Sequence, residues 1–309
     1  MFPGQGSQKA GMALDIAGAP ELFKTSRSVV GRDLERLCTI DPDPAWAPDV
    51  LQPALFVTEV AIGRKMQSLG LQPDAVVGHS LGEFPALVIA GALEFDEALR
   101  LITLRGKAMA DAGRRNEGGM AAVIGLDPEK ISEICAAEGD VWISNYNSPK
   151  QTVISGRDRG LAQAAKRCME AGAKRVIRIK VPVAAHCPLM QPARETFEKA
   201  LAEVTMVRPA CPVYCDADGR DHTDPAEIKA LLVEAITAPV RFTDAVCRMR
   251  EDGFTTFIET GPGKVLRGLV RQIDAAAEMD GVSNDEEASL LNSRRNTINY
   301  QSEPVGVSS

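Results

Sequence analysis

The chain has 309 residues, 45% of them hydrophobic and 25% charged, with a formal net charge of −7. That length buries a substantial core in one large domain or two smaller ones, and the composition is that of an ordinary globular protein. The negative balance argues against nucleic acid as a partner, no apolar run reaches the length of a transmembrane helix, no signal peptide precedes the first motif, and seven cysteines without C-x-x-C spacing argue against a disulfide framework. We therefore expect a cytoplasmic monomer with reduced thiols and no membrane contact.

In chain order, Phe2-Pro3-Gly4-Gln5-Gly6-Ser7-Gln8 is a glycine-rich loop whose leading strand is missing, so a truncated or misassigned start is expected. It lacks the lysine and spacing of a P-loop, which argues against a phosphate cradle. Helical patterns follow at about 21–38 and 53–69. Pro73 to Val77 then reads as a turn feeding a short buried strand, and Glu83 to Leu93 as an apolar helix, with Gly78-His79-Ser80-Leu81-Gly82 between them. Asp96 to Ala112 is an amphipathic helix with Asp96 placed as its cap. At Asn116 to Gly119 a flexible joint leads into strands at 120–125, 142–145, 151–155 and 176–181, with helices at 128–138 and 159–171. The β-α-β-β-α-β order is the ferredoxin-like pattern. After Pro182 come helices at about 189–203 and 225–236 and a strand at 255–259 ending in Gly261-Pro262-Gly263. Beyond Ala277 the chain turns polar, and a disordered tail is expected.

The expected fold class is thus α/β, an α/β-hydrolase-like large domain with an inserted ferredoxin-like small domain. The large domain takes 1–116 and 183–277, the small one 117–182, and the tail 278–309.

Strand, glycine turn and helix around Ser80 are the context of a G-x-S-x-G nucleophile elbow, and the helix N-terminus behind it favours developing negative charge. A serine hydroxyl needs a base within hydrogen-bond reach. Of the three histidines, His79 is adjacent in the elbow and should point away, and His222 sits in a polar surface loop. His186 lies where the inserted segment rejoins the rest, a junction that commonly lines a cleft, and is the candidate base. Its neighbour Cys187 reads as an inert buried thiol. An oxyanion would find donors in the Leu81 amide and in the loop Gly4-Gln5-Gly6.

Seven segments stand in one order from residue 2 to about 270: FPGQGSQ (Phe2 to Gln8), QPA (Gln52 to Ala54), GHSLGE (Gly78 to Glu83), RGKAM (Arg105 to Met109), NYNSPKQTVISG (Asn145 to Gly156), HCPLM (His186 to Met190) and ETGPGKVL (Glu259 to Leu266). Together they resemble the malonyl-CoA:acyl carrier protein transacylases and the related acyltransferase domains of polyketide synthases. The resemblance implies that Ser80 is acylated, that His186 is its base, and that the amides of Gln5 and Leu81 form the oxyanion hole. A backbone carbonyl, expected from Pro239 to Phe242, orients the histidine. Arg105 falls where the family places the arginine that grips the free malonyl carboxylate, and a guanidinium fork suits that task. Gln52 matches an active-site glutamine. The implied substrates are malonyl-CoA and the phosphopantetheine thiol of an acyl carrier protein, in fatty acid or polyketide synthesis, with no metal or redox cofactor bound. Two departures stand out. Ala185 replaces a frequent bulky aromatic and leaves room for an α-substituent, and Pro85 removes a donor early in the helix behind Ser80. Two other functions stay open beside this one, a serine hydrolase or thioesterase and a non-catalytic docking module for a carrier protein.

Overall fold

The computed structural model describes residues 1–39 and 47–302, with side chains to residue 295. Helices α1 (Ala19–Val30) and α2 (Leu34–Thr39) lead to α3 (Pro48–Ser68), β1 (Val76–Val77), a 3₁₀ turn at Ser80–Gly82, α4 (Glu83–Ile89) and α5 (Phe95–Arg115). Next come β2 (Gly118–Ile124), α6 (Pro128–Glu138), β3 (Val141–Ser148), β4 (Gln151–Arg157), α7 (Asp158–Glu170) and β5 (Arg175–Ile179). The chain continues through α8 (Gln191–Ala202), β6 (Val213–Tyr214), β7 (Asp221–His222), α9 (Pro225–Glu234), α10 (Phe242–Glu251), β8 (Thr256–Thr260), α11 (Val265–Ile273), β9 (Glu278–Val282) and α12 (Asp285–Ser302). Mixed α/β architecture follows.

Helix α3 is apolar nearly all round, with Leu51, Leu55, Phe56, Val60 and Ile62 buried, so it forms the centre of the main core instead of a surface stripe. It starts at Pro48 and not near Pro53, where the sequence pattern pointed. Proline suits the first helical position, whose N–H has no partner in any case, and burial of Leu51 draws the preceding turn into the helix. Gln52 is therefore a buried residue inside the helix, not a polar residue at its start. Helix α5 begins after Glu94, so Asp96 lies in the first turn and caps nothing, although its charge still favours that end. The two helices approach closely at Gly106, where an added Cβ would collide with the Pro48 carbonyl. Pro85 sits in the first turn of α4, where a missing N–H is tolerated.

Strand β1 pairs in parallel with β6, and β8 with β9; residues 1 and 2 join the two sheets. Phe2 N–H donates to Val77 O (3.0 Å), and Thr260 N–H to Met1 O (2.8 Å). Between β1 and β8 lies a cavity of about 450 Å³ lined by Phe2, Met66, Val76 and Phe257, and none of the candidate site residues reaches it. Strands β2 to β5 form a separate antiparallel sheet in the order β3-β4-β2-β5. Its alternation is two-sided. Ala121, Val123 and Ile154 pack on α6 and α7, while Met120 and Val153 join the main core.

The expected disorder of 278–309 is corrected for most of that range. Strand β9 adds to β8 along five residue pairs, and α12 buries Ala288 and Leu291 against the main core. Asp285 fixes the start of α12, accepting from Ala17 N–H (3.2 Å) and pairing with Lys65 (3.3 Å). A parallel strand held by main-chain bonds and a helix seated on two apolar residues need little hydrophobic sequence, so the polar composition concealed them. Residues 303–309 lie outside those described.

Candidate active site

Strand β1 delivers Gly78 and the 3₁₀ turn lifts Ser80 into a left-handed backbone conformation (φ 57°), a rare setting for a residue with a side chain. The flanking glycines are required by contact. An added Cβ at Gly78 would strike the Glu83 amide, and at Gly82 the Phe2 carbonyl. The first loop is pressed against the same turn, because an added Cβ on Gly4 would stand 2.7 Å from the His79 carbonyl oxygen. Gln5 and the elbow are neighbours for that reason.

Ser80 Oγ lies 2.8 Å from His186 Nε2, and His186 Nδ1 lies 2.7 Å from the Ala235 carbonyl oxygen. A carbonyl only accepts, so Nδ1 carries the hydrogen and Nε2 is the bare acceptor facing the serine hydroxyl. The orienting carbonyl is thus Ala235, not one from Pro239 to Phe242. Ala235 follows the last turn of α9, where carbonyls lack intrahelical partners. Val240 is already engaged with β3, donating to Ser144 O (2.9 Å) and accepting from Tyr146 N–H (2.8 Å). Burial, reinforced by the Arg105 charge, lowers the His186 pKa to about 3, with the backbone of Ala235 and, more weakly, of Ala238 acting in the opposite sense, so the imidazole is neutral at neutral pH.

Arg105, on α5 and only 3% exposed, donates from Nη2 to Ser80 Oγ (3.0 Å) and from Nη1 to Gln52 Oε1 (2.8 Å). Gln52 in turn donates from Nε2 to Gln5 Oε1 (3.1 Å). A continuous chain therefore runs from Gln5 through Gln52, Arg105, Ser80 and His186 to Ala235. Burial lowers the Arg105 pKa to about 10, Glu83 and Asp216 oppose the shift, and the guanidinium stays charged. Leu81, the residue after the nucleophile, is buried in the 3₁₀ turn.

Two carboxyl groups behind the elbow were absent from the sequence reading of the site. Asp216, fully buried, accepts the Ser80 N–H, and its own N–H donates to Glu83 Oε1 (3.0 Å). Glu83 closes the string GHSLGE and opens the helix after it with no role attached, and Asp216 stands in no motif. It arrives beside Ser80 because β6 pairs with β1, Val77 opposite Tyr214.

The remaining candidates sort by contact. His79 turns away from Ser80 toward Asn147 Oδ1 (2.9 Å). His222 lies between Asp218 (2.9 Å) and Glu227 (3.1 Å). The buried Cys187 thiol donates to Ala184 O (3.1 Å), and burial raises its pKa, which suits a structural thiol.

Residues 1–300 match the family model of the acyl transferase domain. A malonyl CoA-acyl carrier protein transacylase of Haemophilus influenzae is 40% identical over 94% of this chain and 96% of its own length. The solved structure of the malonyl CoA-acyl carrier protein transacylase from Coxiella burnetii superposes with a TM-score of 0.91 at 37% identity, covering 95% of this chain and 96% of that one. A malonyl-transacylase solved in complex with a type II PKS acyl-carrier protein superposes with a TM-score of 0.90 at 36% identity, covering 95% and 98%. The chain belongs to the acyl transferase domain family, among the malonyl CoA-acyl carrier protein transacylases.

Proposed function

We propose that the protein moves a malonyl group from malonyl-CoA to the phosphopantetheine thiol of an acyl carrier protein by way of a malonyl ester on Ser80. The observation that carries this reading is the Ser80 hydroxyl held between His186 Nε2 at 2.8 Å and the Arg105 guanidinium at 3.0 Å, base on one side and carboxylate receptor on the other. His186 takes the Ser80 proton as Oγ attacks the thioester carbonyl, the oxyanion is received by the main-chain amides of Gln5 and Leu81, and coenzyme A leaves with the proton from His186. The carrier thiol then attacks the ester, His186 taking its proton and returning one to Ser80. Arg105 releases Ser80 and Gln52 to grip the malonyl carboxylate with both Nη groups. Before substrate arrives, Gln52 holds Arg105 and Gln5 in one network. The chemistry is acyl transfer between oxygen and sulfur, and the protein groups supply every proton it needs.

For the architecture, we read 1–116 with 183–302, which brings in β9 and α12, as an α/β-hydrolase-like catalytic domain and 117–182 as a ferredoxin-like insertion. The elbow at Ser80 and the β-α-β-β-α-β order of β2 to β5 support this division. Arg105 and His186 lie just before and just after the insertion.

Intact mass after brief exposure to malonyl-CoA tests the function. A malonyl-sized increment that vanishes in Ser80→Ala is the expected result. Folded wild-type protein that turns over malonyl-CoA only to free malonate, with no transfer to a carrier thiol, would sink the transferase reading in favour of a hydrolase.

A further inference from the structure

The acid pair behind the elbow does no step in the transfer just described, yet Asp216 holds the main chain of Ser80, whose hydroxyl Arg105 holds from the other side. Asp216 Oδ2 accepts the main-chain N–H of Ser80, the residue whose positive φ is the least comfortable in the turn. The Asp216 amide holds Glu83 Oε1 at 3.0 Å, and its carbonyl accepts from Arg241 N–H at 2.8 Å, so the aspartate is fixed on three sides. Asp216 is fully buried and Glu83 is 3% exposed. The second Asp216 oxygen, Oδ1, is also buried and has no protein partner among the described residues. A buried carboxylate oxygen without a protein partner costs free energy, more so when the group is charged.

We propose that Asp216 is a positioning residue of this site: it pins the Ser80 amide and, with Glu83, forms the buried counter-charge of Arg105 that an arriving substrate carboxylate takes over. The proposal rests on the reading of Arg105 as the receptor for the acyl carboxylate. Groups from every neighbouring element bear on the pair. Arg105 on α5 favours the charged forms, while Asp218 in the loop after β6 opposes ionisation of Glu83; the Ser80 amide in the turn favours the charged form of Asp216. Burial is the largest influence on both acids, raising Glu83 well above the ordinary carboxylate range and Asp216 to about 7. Near neutral pH the free site therefore holds one guanidinium against two acids whose burial favours their protonated forms. When a malonyl carboxylate docks on Arg105, it adds a further negative charge to the same buried volume. The pair responds by taking a proton from water. Acyl transfer itself is proton-neutral, because the hydrogen of the Ser80 hydroxyl ends on the coenzyme A thiol. Any net uptake during loading thus reports the pair.

The test mixes the protein with malonyl-CoA in weakly buffered solution near pH 7 with an indicator dye, while intact mass records loading. Wild type should take up protons in step with malonyl-serine formation, and Asp216→Asn and Glu83→Gln should each reduce that uptake. Asn keeps the acceptor for Ser80 N–H and removes the charge, so it should also erase the inflection near neutrality in kcat/KM against pH. Asp216→Ala removes acceptor and charge together, and transfer should fall roughly ten- to a hundredfold at unchanged KM for the carrier protein. Full loading of wild type without uptake, or an Asp216→Asn profile with the same uptake and the same inflection, overturns the proposal. Wild type that fails to load malonyl at all overturns the Arg105 reading instead, and the proposal with it.

Discussion

At the scale of single residues, the site turns on one guanidinium with two partners that a ligand would replace. Arg105 spends its two Nη groups on Ser80 Oγ and Gln52 Oε1, and a carboxylate offers the same fork two acceptors of opposite charge. Arg105→Ala should lower malonyl transfer roughly hundred- to a thousandfold while sparing an uncharged acyl group such as acetyl, read as kcat/KM for each donor. Equal losses for both donors would refute the role. Arg105→Lys should recover little, since a point charge cannot hold both oxygens in a plane. Gly82→Ala probes the elbow itself. Its Cβ would meet the Phe2 carbonyl, a backbone atom that cannot swing away, so the variant should lose thermal stability and acylation together. Ser80, His186, Arg105, Gln52 and Gln5 stand in short fixed strings, Arg105 and Gln52 being singled out by the family resemblance alone, and the structure brings the five into one hydrogen-bonded chain. The Ala235 carbonyl was not legible in the sequence, because every residue owns a carbonyl and only the end of α9 makes this one available. Asp216 was not either, since the pairing of β6 with β1 brings it across 136 positions of sequence.

At the scale of elements, helices with clear end signals transferred well, whereas α10 and α11, although amphipathic, were not read from the sequence. Helix α6 spans Pro128–Glu138 as the sequence indicated, because Asp127 accepts from Glu129 N–H as its cap and Gly139 ends it. The start of α3 was missed by five residues, since a proline within a helical pattern reads as a beginning while burial extends the helix past it. Strand β9 and helix α12 were missed altogether. They are held by main-chain pairing and two buried side chains, signals that composition does not carry. Leu291→Ala should therefore destabilise the protein by about 2–3 kcal/mol, seen as a lower Tm in a thermal melt. An unchanged Tm would mean that α12 is not docked on the core. At the α3–α5 crossing, Gly106→Ala forces Pro48 away and tilts Arg105 relative to Gln52. Its expected signature is loss of malonyl transfer beyond what the fall in Tm explains.

At the scale of the whole molecule, the buried titratable groups of the site pull stability in opposite directions with pH. His186 is held neutral with a pKa of about 3 against an ordinary 6.5, so between those values the unfolded chain binds the extra proton and stability falls as pH is lowered. Asp216 behaves in the reverse sense. Its pKa is raised to about 7, the folded protein binds the extra proton above the ordinary carboxylate value, and stability falls as pH rises through that window. The two slopes oppose each other around pH 5 to 6, with the buried Glu83 and Glu59 adding to that of Asp216. Removing one group should expose the other. His186→Gln abolishes the acid-side penalty, and by pH 5 the variant should gain about 2 kcal/mol on wild type relative to their difference at pH 8. Urea unfolding of both proteins at the two pH values measures it. A stability difference that does not change with pH would mean that His186 is not buried neutral, and the base would then have to lose a proton before it could accept one from Ser80.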